Sequence, residues 1–124
     1  MGEEQQQISV LVKSLNEIKI GPKRLTKYEK ARIISARALQ LAAGAPPLID
    51  VSMLESKDPV IIAYYELLAG VLPLLIKRVK PNGEYQLIPV RILSDVENMR
   101  IEKVKELATK IFGIEEREVM RYVI

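Results

Sequence analysis

The side chains available for acid–base or nucleophilic chemistry are carboxylates, lysines, tyrosines and hydroxyls, because the sequence contains neither cysteine nor histidine. This excludes disulfides, thiolate chemistry and the usual zinc ligands. Glu115, Glu116 and Glu118 lie close together, but their positions fit the solvated first turn of a helix. The carboxylates between residues 50 and 58 fit turn and helix-cap roles. We therefore expect no catalytic pair, no metal site and no cofactor, and no enzymatic activity in the chain by itself.

Basic residues cluster around one expected helix (Lys23, Arg24, Lys27, Lys30, Arg32 and Arg37) and one expected hairpin (Lys77, Arg78 and Lys80). A solvated face is one interpretation. The alternative is that Arg32 and Arg37 form charge-assisted hydrogen bonds with acidic groups of a partner. Residues five apart on a helix point about 140° apart, so these two should meet different neighbours. The first cluster contains a single aromatic residue, Tyr28, so direct nucleic-acid binding is not expected.

The overall composition indicates one domain of ordinary size. The 124 residues carry 19 basic and 16 acidic side chains, which is only a mild positive excess. The longest apolar run, residues 71–76, is interrupted by Pro73 and is far shorter than the roughly 18 residues of a membrane span. The first residues are polar and acidic, unlike a secretory signal. We therefore expect a cytoplasmic protein without a membrane partner.

The first helix is predicted over residues 27–43. Thr26 and Glu29 have the spacing of a capping box, and Gly44 with the prolines that follow should end the helix. Its apolar residues cover more of the helix surface than one stripe requires, with Ile33 and Leu39 beside the main stripe. Neighbours on two sides would account for this width.

A second helix and a hairpin follow. Asp58 and Pro59 are typical of a helix start, and Gly70 of a helix end. One of the two tyrosines at 64 and 65 should lie in the core. Residues 71–79 and 84–93 are predicted as strands joined by a turn at 80–83.

The ends of the chain are predicted separately. Residues 1–7 read as a frayed tail, and residues 8–20 as a short strand or a segment ordered by a partner. Ser94 and Glu97 repeat the capping-box spacing before a third helix that should end at Gly113. The expected apolar stripe of this helix consists of Val96, Met99, Val104, Leu107, Ala108 and Ile111. With a final short helix at 114–124, the sequence predicts an α+β fold: a small helical core of two main helices with a C-terminal β-hairpin, followed by a helical extension.

Two blocks of sequence go beyond fold class. Two blocks closely resemble archaeal RNA polymerase subunit K: residues 25–41 (LTKYEKARIISARALQL) with 44–50 (GAPPLID), and residues 58–63 (DPVIIA) with 66–67 (EL), 70–74 (GVLPL), 76–78 (IKR) and 81–85 (PNGEY). That family is the counterpart of the sixth subunit shared by the eukaryotic nuclear polymerases and of bacterial omega. The resemblance extends from residue 25 to residue 87. It divides the chain into an N-terminal tail or partner-ordered segment (1–24), a subunit K/omega-like core (25–93) and a helical C-terminal extension (94–124).

The resemblance implies a non-catalytic subunit that docks on the C-terminal part of the largest polymerase subunit and promotes assembly and stability. It implies a further contact with stalk subunits and only indirect contact with DNA. Carried over by position, the expected partner-binding residues are Tyr28, Arg32, Ile33, Arg37, Leu39, Gln40, Gly44, Pro46 and Pro47. Family members usually end soon after the hairpin, so residues 94–124 depart from the pattern. A virus-encoded or paralogous regulator that uses the same fold to bind polymerase or nucleic acid is the alternative.

Overall fold

A computed structural model describes residues 10–113 of the chain. Within this range the chain forms three α-helices, a two-stranded antiparallel sheet and two 3-10 turns, Leu15–Glu17 and Val51–Met53. The helices are α1 (Lys27–Ala42), α2 (Pro59–Ala69) and α3 (Val90–Phe112), and the strands are β1 (Leu75–Val79) and β2 (Tyr85–Pro89). The α+β class, with two main helices, a hairpin and a following helix, is confirmed. The tail expected at 1–7 and the short helix expected at 114–124 lie outside the described residues.

The start of α1 is fixed by two reciprocal hydrogen bonds. The Glu29 N–H donates to the Thr26 hydroxyl at 3.1 Å, and the Thr26 N–H donates to the Glu29 carboxylate at 3.0 Å. These bonds satisfy N–H groups that have no partner inside the helix. The helix ends at Ala42, one residue earlier than predicted, and Gly44 follows with a φ of +107°. The predicted capping box and glycine end are both confirmed.

The second helix, α2, packs against both α1 and α3. The Val60 N–H donates to the Asp58 carboxylate at 2.8 Å, and Pro59 occupies the first helical position. Tyr64 is completely buried whereas Tyr65 keeps partial exposure, so one tyrosine lies in the core as predicted. Because neighbours cover α2 on several sides, nearly all of its residues are apolar, and Glu66 is its one charged residue.

The hairpin is shorter than predicted. Strands β1 and β2 are antiparallel, and Lys77 lies opposite Leu87. At the turn, the Lys80 N–H donates to the Glu84 carbonyl at 2.7 Å and the Gly83 N–H to the Lys80 carbonyl at 2.9 Å. The predicted turn at 80–83 is therefore confirmed, but residues 71–74 connect α2 to β1 and residues 90–93 form the first turn of α3. Periodicity does not distinguish a strand from a buried helix segment over such short apolar runs, which accounts for the error at 90–93.

The third helix begins at Val90, so the predicted capping box at Ser94 is wrong. Ser94 lies inside α3, where its hydroxyl donates to the Leu67 carbonyl of α2 at 2.8 Å. The Glu97 carboxylate accepts hydrogen bonds from the side chains of Lys30 in α1 and Arg100 in α3 instead of from the Ser94 N–H. Val90 and Leu93 are buried one turn earlier, and their burial extends the helix back to the end of β2.

The buried face of α3 also differs from the predicted stripe. Its buried residues are Val90, Leu93, Ser94, Glu97 and Ile101. Of the predicted stripe, Val96, Val104 and Ala108 are half-buried, and Met99, Leu107 and Ile111 are exposed. Beyond Ile101 the helix therefore leaves the core. The predicted boundary between the core and the C-terminal extension, at residues 93 and 94, falls within α3 and remains a proposal. Because residues of α3 after this boundary contact the core, we expect residues 25–93 alone to be destabilised.

The segment before α1 joins the core through β2. Leu11 forms a parallel bridge with Leu87, and Val12 and Ile18 are buried. The Gln86 side-chain oxygen accepts from the N–H groups of residues 19 and 20 at 2.9 and 3.1 Å. The Arg78 guanidinium donates to the carbonyls of residues 20, 22 and 24. The described part of this segment, from residue 10 onward, is thus held in place by side chains of the same chain. It includes most of residues 8–20, which were predicted as a short strand or as a segment ordered by a partner.

None of the helices described between residues 10 and 113 combines the length and apolar character needed to cross a membrane. The longest, α3, carries charged residues along its length, including Glu102, Lys103 and Lys105. In the same part of the chain, no group of histidine, cysteine, aspartate or glutamate side chains is arranged to hold a metal ion.

The burial pattern of α3 predicts that two isoleucines of this helix contribute very differently to the free energy of unfolding. Ile101→Ala should lower the free energy of unfolding by about 2–5 kcal/mol, because Ile101 is 2% exposed and its loss leaves a cavity. Ile111→Ala should change it by less than about 0.5 kcal/mol, because Ile111 is 65% exposed. Urea denaturation followed by circular dichroism measures both. Equal losses for the two variants would contradict the assigned boundary of the core.

Candidate docking site

The first helix presents two different faces. Tyr28, Arg32 and Leu39 lie four and seven residues apart, which places them on one side of the helix. All three are exposed, and Tyr28 and Leu39 are 83% and 72% exposed. Ile33 and Arg37 lie on the opposite side and are buried. The predicted set of partner-binding residues is thus divided between the outer surface and the core.

The turn after α1 continues the outer surface. Gln40 lies in the last turn of α1, and Gly44, Pro46 and Pro47 lie in the turn after it; all four were predicted to bind a partner and are exposed, and Leu48 is exposed beside them. We define the docking face as the outer residues of α1 and this turn: Tyr28, Arg32, Leu39, Gln40, Gly44, Pro46, Pro47 and Leu48. It contains seven of the nine predicted residues and adds Leu48.

Arg37 holds this turn from the inside. Its Nε and Nη2 atoms both donate to the carboxylate of Glu66 in α2, the second at 3.1 Å. Nη2 also donates to the Pro46 carbonyl at 3.0 Å, and Nη1 donates to the Gln40 side-chain oxygen at 3.0 Å. The sequence predicted that Arg32 and Arg37 point at different neighbours, and the two lie on different sides of α1, with Arg37 buried and Arg32 exposed. The acidic neighbour of Arg37, however, is a residue of the same chain.

Glu66 completes the attachment. Its carboxylate, which is completely buried, accepts a hydrogen bond from the Leu48 N–H at 2.7 Å. Burial alone would raise the pKa of Glu66, but the Arg37 and Leu48 hydrogen bonds and the Arg37 charge outweigh burial and hold it below its ordinary value of 4.5. The ionised pair therefore ties α1, α2 and the turn together before any partner binds.

The sequence analysis assigned no role to Glu66, although one signal for a role was available. Glu66 is the one charged residue in the helix sequence PVIIAYYELLA. A carboxylate surrounded by apolar residues on a buried helix requires an opposite charge nearby. The sequence does not reveal which of several arginines supplies it, because Arg37 is 29 positions away.

A groove of about 530 Å³ lies beside the docking face, between α1 and β1. Tyr28 and Arg32 line its α1 side, and Leu74, Leu75 and Lys77 line the other. Leu75 is 54% exposed, so the apolar surface continues from α1 onto the edge of the hairpin. This arrangement provides an ordered surface with a flanking groove, which suits binding of another protein.

The Arg37–Glu66 pair generates a prediction about stability. Glu66→Leu should lower the free energy of unfolding by about 3–5 kcal/mol, because it leaves the buried Arg37 charge unpaired. The double variant Arg37→Met with Glu66→Leu should recover part of this loss, since no buried charge remains. Urea denaturation of the wild-type chain, of Glu66→Leu and Arg37→Met alone, and of the double variant measures the coupling. As a control, Glu106→Leu removes an exposed partner of Lys110 and should change stability little. Additive losses in the double variant would contradict the pairing.

A second buried carboxylate lies between α1 and α3. Glu97 accepts from Lys30 at 2.7 Å and from Arg100 at 3.0 Å. Burial raises the pKa of Glu97, but these hydrogen bonds and charges outweigh it, and the pKa falls below its ordinary value of 4.5. The pKa of Glu29 is lowered in the same way, where the hydrogen bonds from Arg78 and Thr26 and the charge of Arg78 outweigh burial.

These lowered pKa values predict the pH dependence of stability. Folding favours the ionised carboxylates, so their contribution is complete above pH 4.5 and is lost as the pH falls through the lower folded-state values. The melting temperature should therefore drop as the pH is lowered below this value. Glu97→Gln, which cannot titrate, should lose less stability between pH 6 and pH 3 than the wild-type chain, as thermal unfolding would show. Parallel pH profiles for the two proteins would contradict the contribution of Glu97.

Comparison with known proteins agrees with the resemblance seen in the sequence. The model of the RNA polymerase Rpb6 family matches residues 19–74, which include α1, the turn after it and α2. The docking face and both members of the Arg37–Glu66 pair lie within the matched residues.

Archaeal relatives of the chain carry the name DNA-directed RNA polymerase subunit Rpo6. That of Sulfolobus acidocaldarius is 63% identical over 68 residues, covering 55% of this chain and 76% of the relative. That of Pyrobaculum aerophilum is 49% identical over 90 residues, covering 73% and 85%. That of Aeropyrum pernix is 44% identical over 98 residues, covering 79% and 98%. The chain therefore belongs to the RNA polymerase Rpb6 family, the family of archaeal polymerase subunit K.

Proposed function

We propose that the chain is a non-catalytic subunit of an archaeal DNA-dependent RNA polymerase that docks on the C-terminal part of the largest subunit. The observation that carries the proposal is the exposed, ordered docking face, in a chain whose relatives are named as polymerase subunits. Docking would promote assembly and stability of the transcribing enzyme. In this role the chain works in the cytoplasm, approaches the stalk subunits and meets DNA only through the complex.

The composition of the docking face supports binding to a protein. Tyr28 and Leu39 expose large apolar surfaces on a helix whose other side already packs on the core. Exposed apolar groups close together favour association, because contact with a partner removes them from water. The prolines at 46 and 47 add apolar surface with little conformational freedom to lose.

The Arg37–Glu66 pair supports the same proposal indirectly. A turn held in place before binding loses less conformational entropy when the partner docks. We therefore assign Arg37 and Ile33 to positioning the docking face from within, rather than to direct contact. Arg32, the exposed arginine of the pair singled out in the sequence, is proposed to bind a carboxylate of the largest subunit.

Leu39→Asp tests the docking face. The change should leave folding intact, because Leu39 is 72% exposed, but it would place an unpaired charge in the interface. We expect incorporation into reconstituted polymerase to fall at least about tenfold, equivalent to about 1.4 kcal/mol. Quantitative mass spectrometry of the salt-washed enzyme measures it.

Met99→Asp is the matched control, since Met99 is a 64% exposed apolar residue on the outer side of another helix. It should enter polymerase as the wild-type chain does. Normal incorporation of the Leu39 variant would contradict the proposed docking face. Loss of the wild-type chain in a moderate salt wash would instead indicate an association driven by charge, as expected of a free regulator or a nucleic-acid-binding protein.

A further inference from the structure

A second groove lies on the other flank of α1, between its first turns and the middle of α3. Its volume is about 560 Å³, and it is lined by Arg24, Leu25, Thr26, Lys27, Lys30, Ala31, Ile34, Val96, Glu97 and Arg100. None of these residues belongs to the docking face. The groove is therefore a separate surface, formed between the start of α1 and α3.

The charge of this groove is strongly positive. Four of its lining residues are cations, and Glu97 is the one carboxylate among them. Glu97 is already bound by both Lys30 and Arg100. The exposed residues Arg24 and Lys27, at the rim of the groove, therefore supply its remaining positive charge.

The floor of the groove is apolar. Leu25 and Ile34 contribute side chains that the core covers almost completely, while Ala31 and Val96 keep more exposure. An apolar floor with a basic rim is complementary to an aliphatic side chain flanked by carboxylates. The groove contains no aromatic residue on which a nucleic-acid base could stack, and Lys30 and Arg100 are already engaged by Glu97. These features favour an acidic peptide over a nucleic acid.

We propose that this groove binds a partner segment in which one aliphatic side chain is flanked by acidic residues. The aliphatic side chain contacts Leu25, Ile34 and Val96. The flanking carboxylates bind Arg24 and Lys27. The contact is independent of the docking face and would allow a second protein to be bound at the same time.

The test uses the full chain and a fluorescein-labelled peptide with a central leucine flanked on both sides by aspartate and glutamate. Lys27→Glu should weaken binding at least about tenfold, because it removes one charge-assisted contact and adds a repulsive charge. This change is compatible with folding, since an acidic residue in the first turn of a helix is favourable. Lys57→Glu, an equal charge change outside the groove, should leave the affinity unchanged. Fluorescence anisotropy measures all three.

Further measurements fix the location and the class of ligand. Amide chemical shifts should change at Ala31 and Val96 when the peptide is added, and Leu39→Asp should not weaken binding. A peptide with asparagine and glutamine in place of the acids should bind at least about tenfold more weakly. No binding of the acidic peptide, equal weakening by Lys57→Glu, or tighter binding of a single-stranded oligothymidylate would overturn the proposal. Because Leu39→Asp tests the docking face separately, failure here leaves the proposed function unaffected.

Discussion

The ion pair between Arg37 and Glu66 is the interaction on which the docking face depends. Glu66 is completely buried on a helix that is otherwise apolar, and a carboxylate in this position is tolerated only with a charged and hydrogen-bonded partner. The guanidinium that meets this need also binds the Pro46 carbonyl, and the carboxylate binds the Leu48 N–H. A requirement of the core thus determines the conformation of a surface turn.

A second buried arginine holds another irregular part of the molecule in the same way. Arg78, buried on β1, binds the Glu29 carboxylate and three backbone carbonyls of the segment before α1. A side chain added at Gly21 would lie 2.9 Å from this guanidinium, and the φ of +78° disfavours any other residue there. Buried polar side chains therefore hold the irregular segments that the two-stranded sheet is too small to pair.

Local sequence signals predicted the parts of the fold that depend on local interactions. The capping box at Thr26 and Glu29 and the glycine that ends α1 follow from neighbouring residues alone. The identical spacing at Ser94 and Glu97 was misleading, because burial of residues one turn earlier extends α3 to the end of β2. The outward residues of the candidate site followed from the family resemblance. The inward role of Arg37 depends on a residue 29 positions away, which no local pattern specifies.

The chain itself orders the docking turn before a partner is present. Amide hydrogen exchange at Leu48 in the isolated chain tests it most directly, because this N–H donates to Glu66 at 2.7 Å. Exchange at Leu48 should be slow in the wild-type chain, and in Glu66→Gln it should accelerate at least about tenfold more than exchange of the α2 amides. Rapid, unprotected exchange at Leu48 in the wild-type chain would contradict this ordering.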